Sequence, residues 1–200
     1  MNRDDFLRRI RGALHRREGV PVEAPPPLLA PLTSWNTDEL ITMFKQEHEA
    51  VGGTVHIVET VAEAKAKLRE LLERLEPRSF IHTTDVPKNL LRAVSLPLAD
   101  DPAEADVGIS GVRCALATTG SLVLTSEVGR RASLLPMTHI AFVRAEQLVP
   151  SMAEALATRL PGDLPSAWVQ ATGPSRTADI ELTLTTGVHG PGVVHVILIR

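Results

Sequence analysis

Segments typical of strands and of helices alternate along most of this 200-residue chain, and this alternation constrains its fold more than any other feature. Short runs rich in β-branched and apolar residues predict buried strands, and longer runs with apolar residues at helical spacing predict helices. The predicted strands are 54–58, 79–83, 106–110, 122–124, 139–143, 167–171 and 193–199, and the predicted helices are 37–50, 61–75, 86–94 and a segment from Pro150 or Ser151 to Arg159. The alternation predicts an α/β fold with a mainly parallel sheet, helices on both faces and right-handed crossovers.

The middle of the chain is predicted as a second β-rich block. Residues 114–117 are small and apolar and are predicted as a turn or helix, and residues 127–131 as a loop. Residues 132–135 and 139–143 are expected to complete the block.

The N-terminal part differs in composition from the rest and is predicted to be an extension. Phe6, Leu7, Ile10 and Leu14 recur at helical spacing among arginines, which predicts an amphipathic helix over 4–18. A solvated helix that docks by one stripe is favoured over an RNA- or membrane-binding arm. Prolines between Val20 and Pro31 predict a stiff, extended linker. The predicted organisation is a helical extension at 1–19, a linker at 20–35 and one α/β domain at 36–200.

A polar stretch from Gly173 to Pro191 lies between two predicted strands. It contains more reactive and charged side chains than a loop that only connects two strands would need. Glycine–proline clusters bound it, and its interior supplies hydroxyl, guanidinium, carboxylate and imidazole groups. Residues 178–186 fit either a short helix capped by Thr177 or a threonine-rich strand, and a short helical turn is favoured. This surplus of functional groups makes the stretch the best candidate for a site.

Two loops rich in hydroxyl groups and glycine are predicted to bind a small anion together. The first comprises residues 118–121, and the second is residues 173–177, where Arg176 adds a guanidinium suited to two-point contact with an anion. Backbone amides in such turns can converge on a phosphate or carboxylate, and open α/β sheets place their sites in loops at strand ends. The predicted binding residues are Thr119, Gly120, Ser121, Gly173, Ser175, Arg176 and Thr177.

Asp179, Glu181 and His189 are the candidates for acid–base catalysis. His189 is bracketed by glycines, so its ring can be exposed as a proton carrier. Structural roles remain open beside the catalytic ones. Asp179 can anchor the loop or pair with Arg176, and His189 can hydrogen-bond to the loop backbone.

Two long motifs of the second half resemble those of a known family. One is Gly173-Pro-Ser-Arg-Thr-Ala-Asp-Ile-Glu181 followed by Gly187-Val-His-Gly-Pro191. The other is Asp106-Val-Gly-Ile-Ser110 continuing into Ala115-Leu-Ala-Thr-Thr-Gly-Ser-Leu-Val-Leu124. Together they resemble the LUD-domain family and, more narrowly, its lactate-utilisation protein C branch.

The resemblance implies a fold and a context. It implies a NagB/RpiA/CoA-transferase-like fold, in which phosphorylated or acyl anions bind at strand ends. The branch is associated with oxidation of L-lactate to pyruvate beside iron–sulfur partner proteins. Relatives often carry an acid before Thr-Gly where this chain has Thr118, which argues against a lone-carboxylate mechanism at this loop.

Composition excludes several classes of function. A single cysteine, Cys114, cannot form an internal disulfide or hold an iron–sulfur cluster, and its small neighbours indicate an inert core thiol. The histidines lack metal-ligand spacing, and His195 is expected to be a satisfied core or edge residue. No dinucleotide or nucleoside triphosphate loop is present, and a net charge of −3 gives no pull toward nucleic acid. No membrane span or secretory leader is seen, so a cytoplasmic location is expected.

Three functions remain open from the sequence. The first is a component of a lactate-oxidising system that binds a small anion, with no cofactor of its own and iron–sulfur clusters on partner proteins. The second is a stand-alone enzyme acting on a sugar phosphate or acyl-CoA. The third is a non-catalytic assembly subunit that uses the N-terminal helix.

Overall fold

The structure is a computed structural model, and it describes residues 2–14, 35–159, 165–177, 185–186 and 190–200. The chain divides into two compact units, Met1–Ala30 and Pro31–Arg200. The helices are α1 (Arg3–Ala13), α2 (Thr37–Ala50), α3 (Val61–Leu75), α4 (Lys88–Leu91), α5 (Arg131–Leu134) and α6 (Met152–Arg159). The strands are β1 (Thr54–Val58), β2 (Phe80–His82), β3 (Val107–Ser110), β4 (Cys114–Leu116), β5 (Ser121–Thr125), β6 (Thr138–Arg144), β7 (Leu148–Val149), β8 (Trp168–Ala171), β9 (Arg176–Thr177), β10 (Thr185–Thr186) and β11 (Val193–Ile199).

In the first unit, α1 begins where Asn2 caps it. The Asn2 side chain accepts a hydrogen bond of 2.8 Å from the Asp5 backbone N–H, and two acids occupy the first turn, where they complement the helix dipole. Phe6, Ile10 and Leu14 are all exposed. Of the helix predicted over 4–18, the part beyond residue 14 lies outside the described residues.

A five-stranded parallel sheet forms the framework of the second unit. Its strand order is β1-β11-β6-β3-β2, and every neighbouring pair runs parallel. A four-stranded mixed sheet, β7-β4-β5-β8, forms a second layer, and β9 pairs with β10 in a short antiparallel ladder. The mainly parallel α/β fold is therefore confirmed.

Alternating side chains of β11 contribute to two hydrophobic cores, one on each face of the parallel sheet. Val196 and Leu198 pack with α2 and with residues of the second sheet. Ile197 and Ile199 face the other way and pack with α3 and α4. Because successive strand residues point to opposite faces, one apolar strand can serve both cores, and the sheet carries helices on both faces.

Local signals fix the ends of the two long helices. Asn36 caps α2 in a capping box: its side chain accepts from the Glu39 backbone N–H, and the Glu39 carboxylate accepts from the Asn36 N–H. Thr60 caps α3, and the helix ends at Glu76 in the left-handed conformation. Both helices lie where the sequence predicts them.

The middle of the chain differs from its prediction in two places. Residues 114–116 form the buried strand β4 rather than a turn or helix, because they pair with β5 on one side and β7 on the other. Residues 131–134 form the short helix α5 instead of extending a β-rich block. In both places long-range packing overrides a weak local preference.

Gly108 allows α5 to lie directly on β3, and its replacement tests this contact. A Cβ atom at this position would lie 1.6 Å from the Ala132 carbonyl oxygen and 3.1 Å from Pro136 Cγ. Gly108→Ala is therefore expected to lower the free energy of unfolding by about 2 kcal/mol or more, measured by denaturant titration. Gly12→Ala is the matched control, since a Cβ atom there would meet nothing within 4 Å. Equal stability of the two variants would contradict this account of the contact.

Candidate functional site

Pairing of β5 with β8 brings the first predicted loop beside Thr172, the residue just before the second predicted loop. In this antiparallel ladder Leu122 lies opposite Ala171, so Ser121 and Thr172 emerge side by side. Ser121 Oγ lies 2.7 Å from Thr172 Oγ1 and 2.7 Å from Thr119 Oγ1. Ser121 is buried, whereas Thr119 and Thr172 are exposed. A continuous chain of three hydroxyl groups therefore joins the first loop to the residue that precedes the second loop.

Glycines in both loops pack against the C-terminal end of α2. Gly120 and Gly173 have positive φ angles of 61° and 75°, which disfavour any residue with a side chain. A Cβ atom at Gly120 would lie 2.3 Å from the His48 backbone nitrogen, and one at Gly173 would lie 2.6 Å from Val51 Cγ2. Glycine is thus required in both places by conformation and by contact.

His48 ties the first loop to α2, and sequence analysis missed this role. Its Nδ1 donates a hydrogen bond of 2.7 Å to the Gly120 carbonyl, and its fully buried ring stacks on Phe44 with a centroid distance of 5.5 Å. Burial lowers the pKa of His48, only partly offset by the Gly120 hydrogen bond. No sequence spacing links His48 to Gly120, 72 residues apart, so only the fold reveals the contact.

The hydroxyl chain lies near the amino ends of parallel strands, not their carboxyl ends. The Ser175 N–H donates a hydrogen bond of 2.8 Å to the Pro191 carbonyl, just before β11 begins. Gly173 lies against Val51, which follows α2 and precedes β1. The C-terminal end of α2 carries partial negative charge. An anion at this edge would therefore depend on hydroxyl groups and a cationic side chain rather than on a helix dipole.

The remaining predicted site residues lie at the ends of the segments that the structure describes or outside those segments. The backbones of Arg176 and Thr177 pair with Thr186 and Thr185, so residues 185–186 are a strand rather than part of the expected helical turn. Asp179, Glu181 and His189 lie outside the described residues. The Ser175 side chain faces Gly190, whose added Cβ atom would lie 3.3 Å from Ser175 Cβ.

Two further histidines are buried in the core behind the site. His139 Nε2 lies 2.8 Å from Ser110 Oγ, and burial lowers the pKa of His139 to about 4. Burial and the neighbouring charge of His56 also lower the pKa of His195 to about 4. His195 Nδ1 has no hydrogen-bond partner among the described residues, so the expectation of a satisfied histidine is wrong for this atom.

The described residues contain neither a cluster of metal ligands nor a membrane-spanning helix. No three histidine, cysteine, aspartate or glutamate side chains in the described ranges are grouped so as to hold a metal ion. None of the helices in the described part of the chain is long and apolar enough to cross a membrane. Cys114 is fully buried on β4.

A family model and two named relatives match this chain, and one solved structure shares its fold. Residues 86–199 match the family model described as the LUD domain. The chain is 32% identical to lactate utilization protein C of Bacillus subtilis (strain 168), over 95% of this chain and 92% of that protein. It is 33% identical to lactate utilization protein C of Shouchella clausii, over 95% and 94%. A crystal structure of a DUF162 family protein from Deinococcus radiodurans shares the fold, with a TM-score of 0.61, 24% identity, and coverage of 84% of this chain and 100% of that chain.

The buried histidines make stability depend on pH. His139 and His195 have folded-state pKa values of about 4, whereas an unfolded histidine titrates near 6.5. The unfolded state therefore binds more protons between these values, and stability falls as the pH falls from about 6.5 toward 4. We expect a loss of roughly 2 kcal/mol from His139 between pH 7 and pH 5 in denaturant titrations, and a smaller loss from His195, which is less completely buried.

His139→Gln is the variant that isolates one contribution, because an amide can still bond Ser110 but does not titrate. It should remove the larger part of the loss that the two histidines cause. A wild-type stability that is the same at pH 7 and pH 5 would refute the explanation.

The hydroxyl chain can be tested by a double-mutant cycle between Ser121 and Thr172. The pair Ser121→Ala and Thr172→Val should show a coupling free energy of about 1 kcal/mol, because each single substitution already breaks their shared hydrogen bond. Ser121→Ala with Thr118→Val is the control pair, since Thr118 is exposed and its hydroxyl makes no described bond to Ser121. Equal coupling in the two cycles would show that the contact does not stabilise the loop junction.

Proposed function

Since this chain belongs to the LUD domain family, we propose that it is a cytoplasmic component of an L-lactate utilisation system, in which lactate is oxidised to pyruvate. Relatives named lactate utilization protein C align with nearly the whole chain at about 30% identity, which supports a shared role. Oxidation of lactate to pyruvate releases two electrons and two protons. This chain has one cysteine, too few for an iron–sulfur cluster of its own. The resemblance to the lactate-utilisation branch implies that clusters on partner proteins would accept the electrons.

The same proposal places a small carboxylate or phosphate anion between loops 118–121 and 173–181. The observation that carries it is the hydroxyl chain of Thr119, Ser121 and Thr172. Three hydroxyl groups have three protons, and two hydrogen bonds among them use two. One O–H remains to donate to an anion, and Thr119 and Thr172 at the ends of the chain are exposed. Arg176, four residues after Thr172, would supply the positive charge that hydroxyl groups lack.

Asp179, Glu181 and His189 complete the proposed site as proton acceptors. They follow Arg176 in the same segment of the sequence. Gly173, Ser175 and Thr177 would shape the second loop, and Gly120 the first.

A role in assembly is the second candidate, and α1 is the observation that favours it. Phe6, Ile10 and Leu14 form an exposed apolar stripe on a helix rich in arginine. Such a stripe suits a groove on a partner subunit. Assembly and anion binding would then use different parts of the chain.

Substitutions in the two loops separate these functions. Arg176→Ala and Ser121→Ala are each expected to weaken binding of inorganic phosphate about tenfold, roughly 1.4 kcal/mol, in isothermal titration calorimetry. Arg92→Ala is the control, because it removes an exposed arginine after α4, distant in sequence from both loops. If both loop variants still bind the iron–sulfur partner proteins, assembly uses a surface other than these two loops.

Two outcomes would contradict the proposal. Unchanged affinity in both loop variants would remove the anion site from these loops. Turnover of a sugar phosphate or an acyl-CoA by the purified chain alone would make it a stand-alone enzyme.

A further inference from the structure

A cavity lies at the carboxyl ends of the parallel strands, on the opposite side of the sheet from the hydroxyl chain at their amino ends. It has a volume of about 260 Å³ and is lined by residues that follow or end β2, β3, β6 and β11, including Asp85, Gly111, Arg144 and Ile199. Ligands of open α/β sheets bind in the crevice outside the carboxyl ends of the strands. The volume is near the lower limit for small-molecule sites, so it suits a small metabolite.

Asp85 lies on one wall of this cavity, and one of its two carboxylate oxygens is held by hydrogen bonds from the protein. Both of its hydrogen bonds within the described residues end on Oδ1, one from the Thr83 hydroxyl and one of 3.2 Å from the Gly111 N–H. A Cβ atom at Gly111 would lie 2.5 Å from Asp85 Oδ2. Glycine therefore lets the carboxylate lie close to the end of β3, and Oδ2 can accept a hydrogen bond from a ligand.

Arg144 lies at the end of β6, and within the described ranges its guanidinium contacts Glu146. Its Nη1 lies 3.5 Å from Glu146 Oε1, a long contact between two exposed side chains. Gln147 fixes the backbone of this wall: it accepts from the Arg144 N–H at 2.8 Å and donates to the Val112 carbonyl at 2.7 Å. The remaining N–H groups of Arg144 can bind a carboxylate by two points.

A wider groove lies at the amino ends of β2, β3 and β6, and its arginine is already paired with an acidic side chain. It measures about 1100 Å³ and contains Arg78, but the Arg78 guanidinium already makes two hydrogen bonds to Asp106, of 3.2 and 3.1 Å. Its charge is therefore satisfied within the chain. Arg144 is the better recognition element for an incoming anion.

We propose that the cavity at the carboxyl edge binds a short 2-hydroxy carboxylate. Its carboxylate would bind Arg144, its hydroxyl would donate to Asp85 Oδ2, and its hydrocarbon would lie against Leu90, Phe142 and Ile199, which are buried lining residues. Asp85 and Glu146 would repel a phosphate dianion more than a monocarboxylate that also brings a donor. The choice of a hydroxyl rather than an ammonium group as the donor rests on the proposed function. The site itself is argued from the residues that line the cavity.

Four matched probes test the ligand chemistry by NMR titration of the ¹⁵N-labelled full chain up to ~10 mM. L-Lactate has both groups, propanoate lacks the hydroxyl, L-lactamide lacks the charge, and L-alanine carries an ammonium instead. We expect L-lactate to shift the amide signals of Gly111, Leu90 and Gln147, and each of the other probes to bind at least tenfold more weakly. No shift with L-lactate, or tighter binding of L-alanine, would overturn the proposal.

Asp85→Asn and Arg144→Gln test the residues, with Arg92→Gln as the matched control outside the cavity. Each cavity variant should lose at least tenfold in L-lactate affinity while keeping the wild-type thermal unfolding midpoint within a few degrees, and the control should bind normally. If a cavity variant does not fold, Gly111→Ala gives a second measurement, because its Cβ displaces Asp85. Normal L-lactate binding by a folded cavity variant would overturn the proposal.

The same titrations on Arg176→Ala distinguish this inference from the proposed loop site. If lactate affinity depends on Arg176 but not on Asp85 or Arg144, the cavity proposal fails and the loop site stands. Dependence on Asp85 and Arg144 alone supports the cavity and removes lactate from the loops. Dependence on none of the three refutes both.

Discussion

The packing of two glycine bends against the end of α2 is the contact on which the second unit depends. Gly120 lies so close to His48 that no side chain fits between them, and the His48 ring donates to the Gly120 carbonyl. Gly173 lies as closely against Val51. Through these contacts the β4–β5–β8 layer is held against α2 and the parallel sheet, and the apolar core between them excludes water.

This arrangement gives the parallel sheet two chemically different edges. At the amino edge, hydroxyl groups line up between two bends, and the nearby end of α2 contributes negative partial charge. At the carboxyl edge, Asp85 and Arg144 share a cavity with an apolar wall. The amino edge offers neutral donors and requires a cation from the following segment, whereas the carboxyl edge already contains both an acceptor and a cation.

Much of the fold was predictable because its signals are local. The cap at Asn36, the apolar stripe of α3 and the β-branched run of β11 each depend on residues within a few positions of one another. Strand β4 was not predictable in this way. Its three small residues have little strand preference, and they are extended because β5 and β7 pair with them from both sides.

For the candidate site, too, the sequence determined the local features and the tertiary structure determined the long-range contacts. The amino-acid sequence was enough to identify the family, the α/β class and two loops with the hydroxyl and glycine composition of a binding site, since these follow from residue types and short spacings. Folding alone determined that Ser121 meets Thr172, that His48 supports Gly120, and that Asp85 and Arg144 line one cavity. The two residues of each pair are 51 or more positions apart, and their proximity arises from strand pairing and core packing, which no local pattern records.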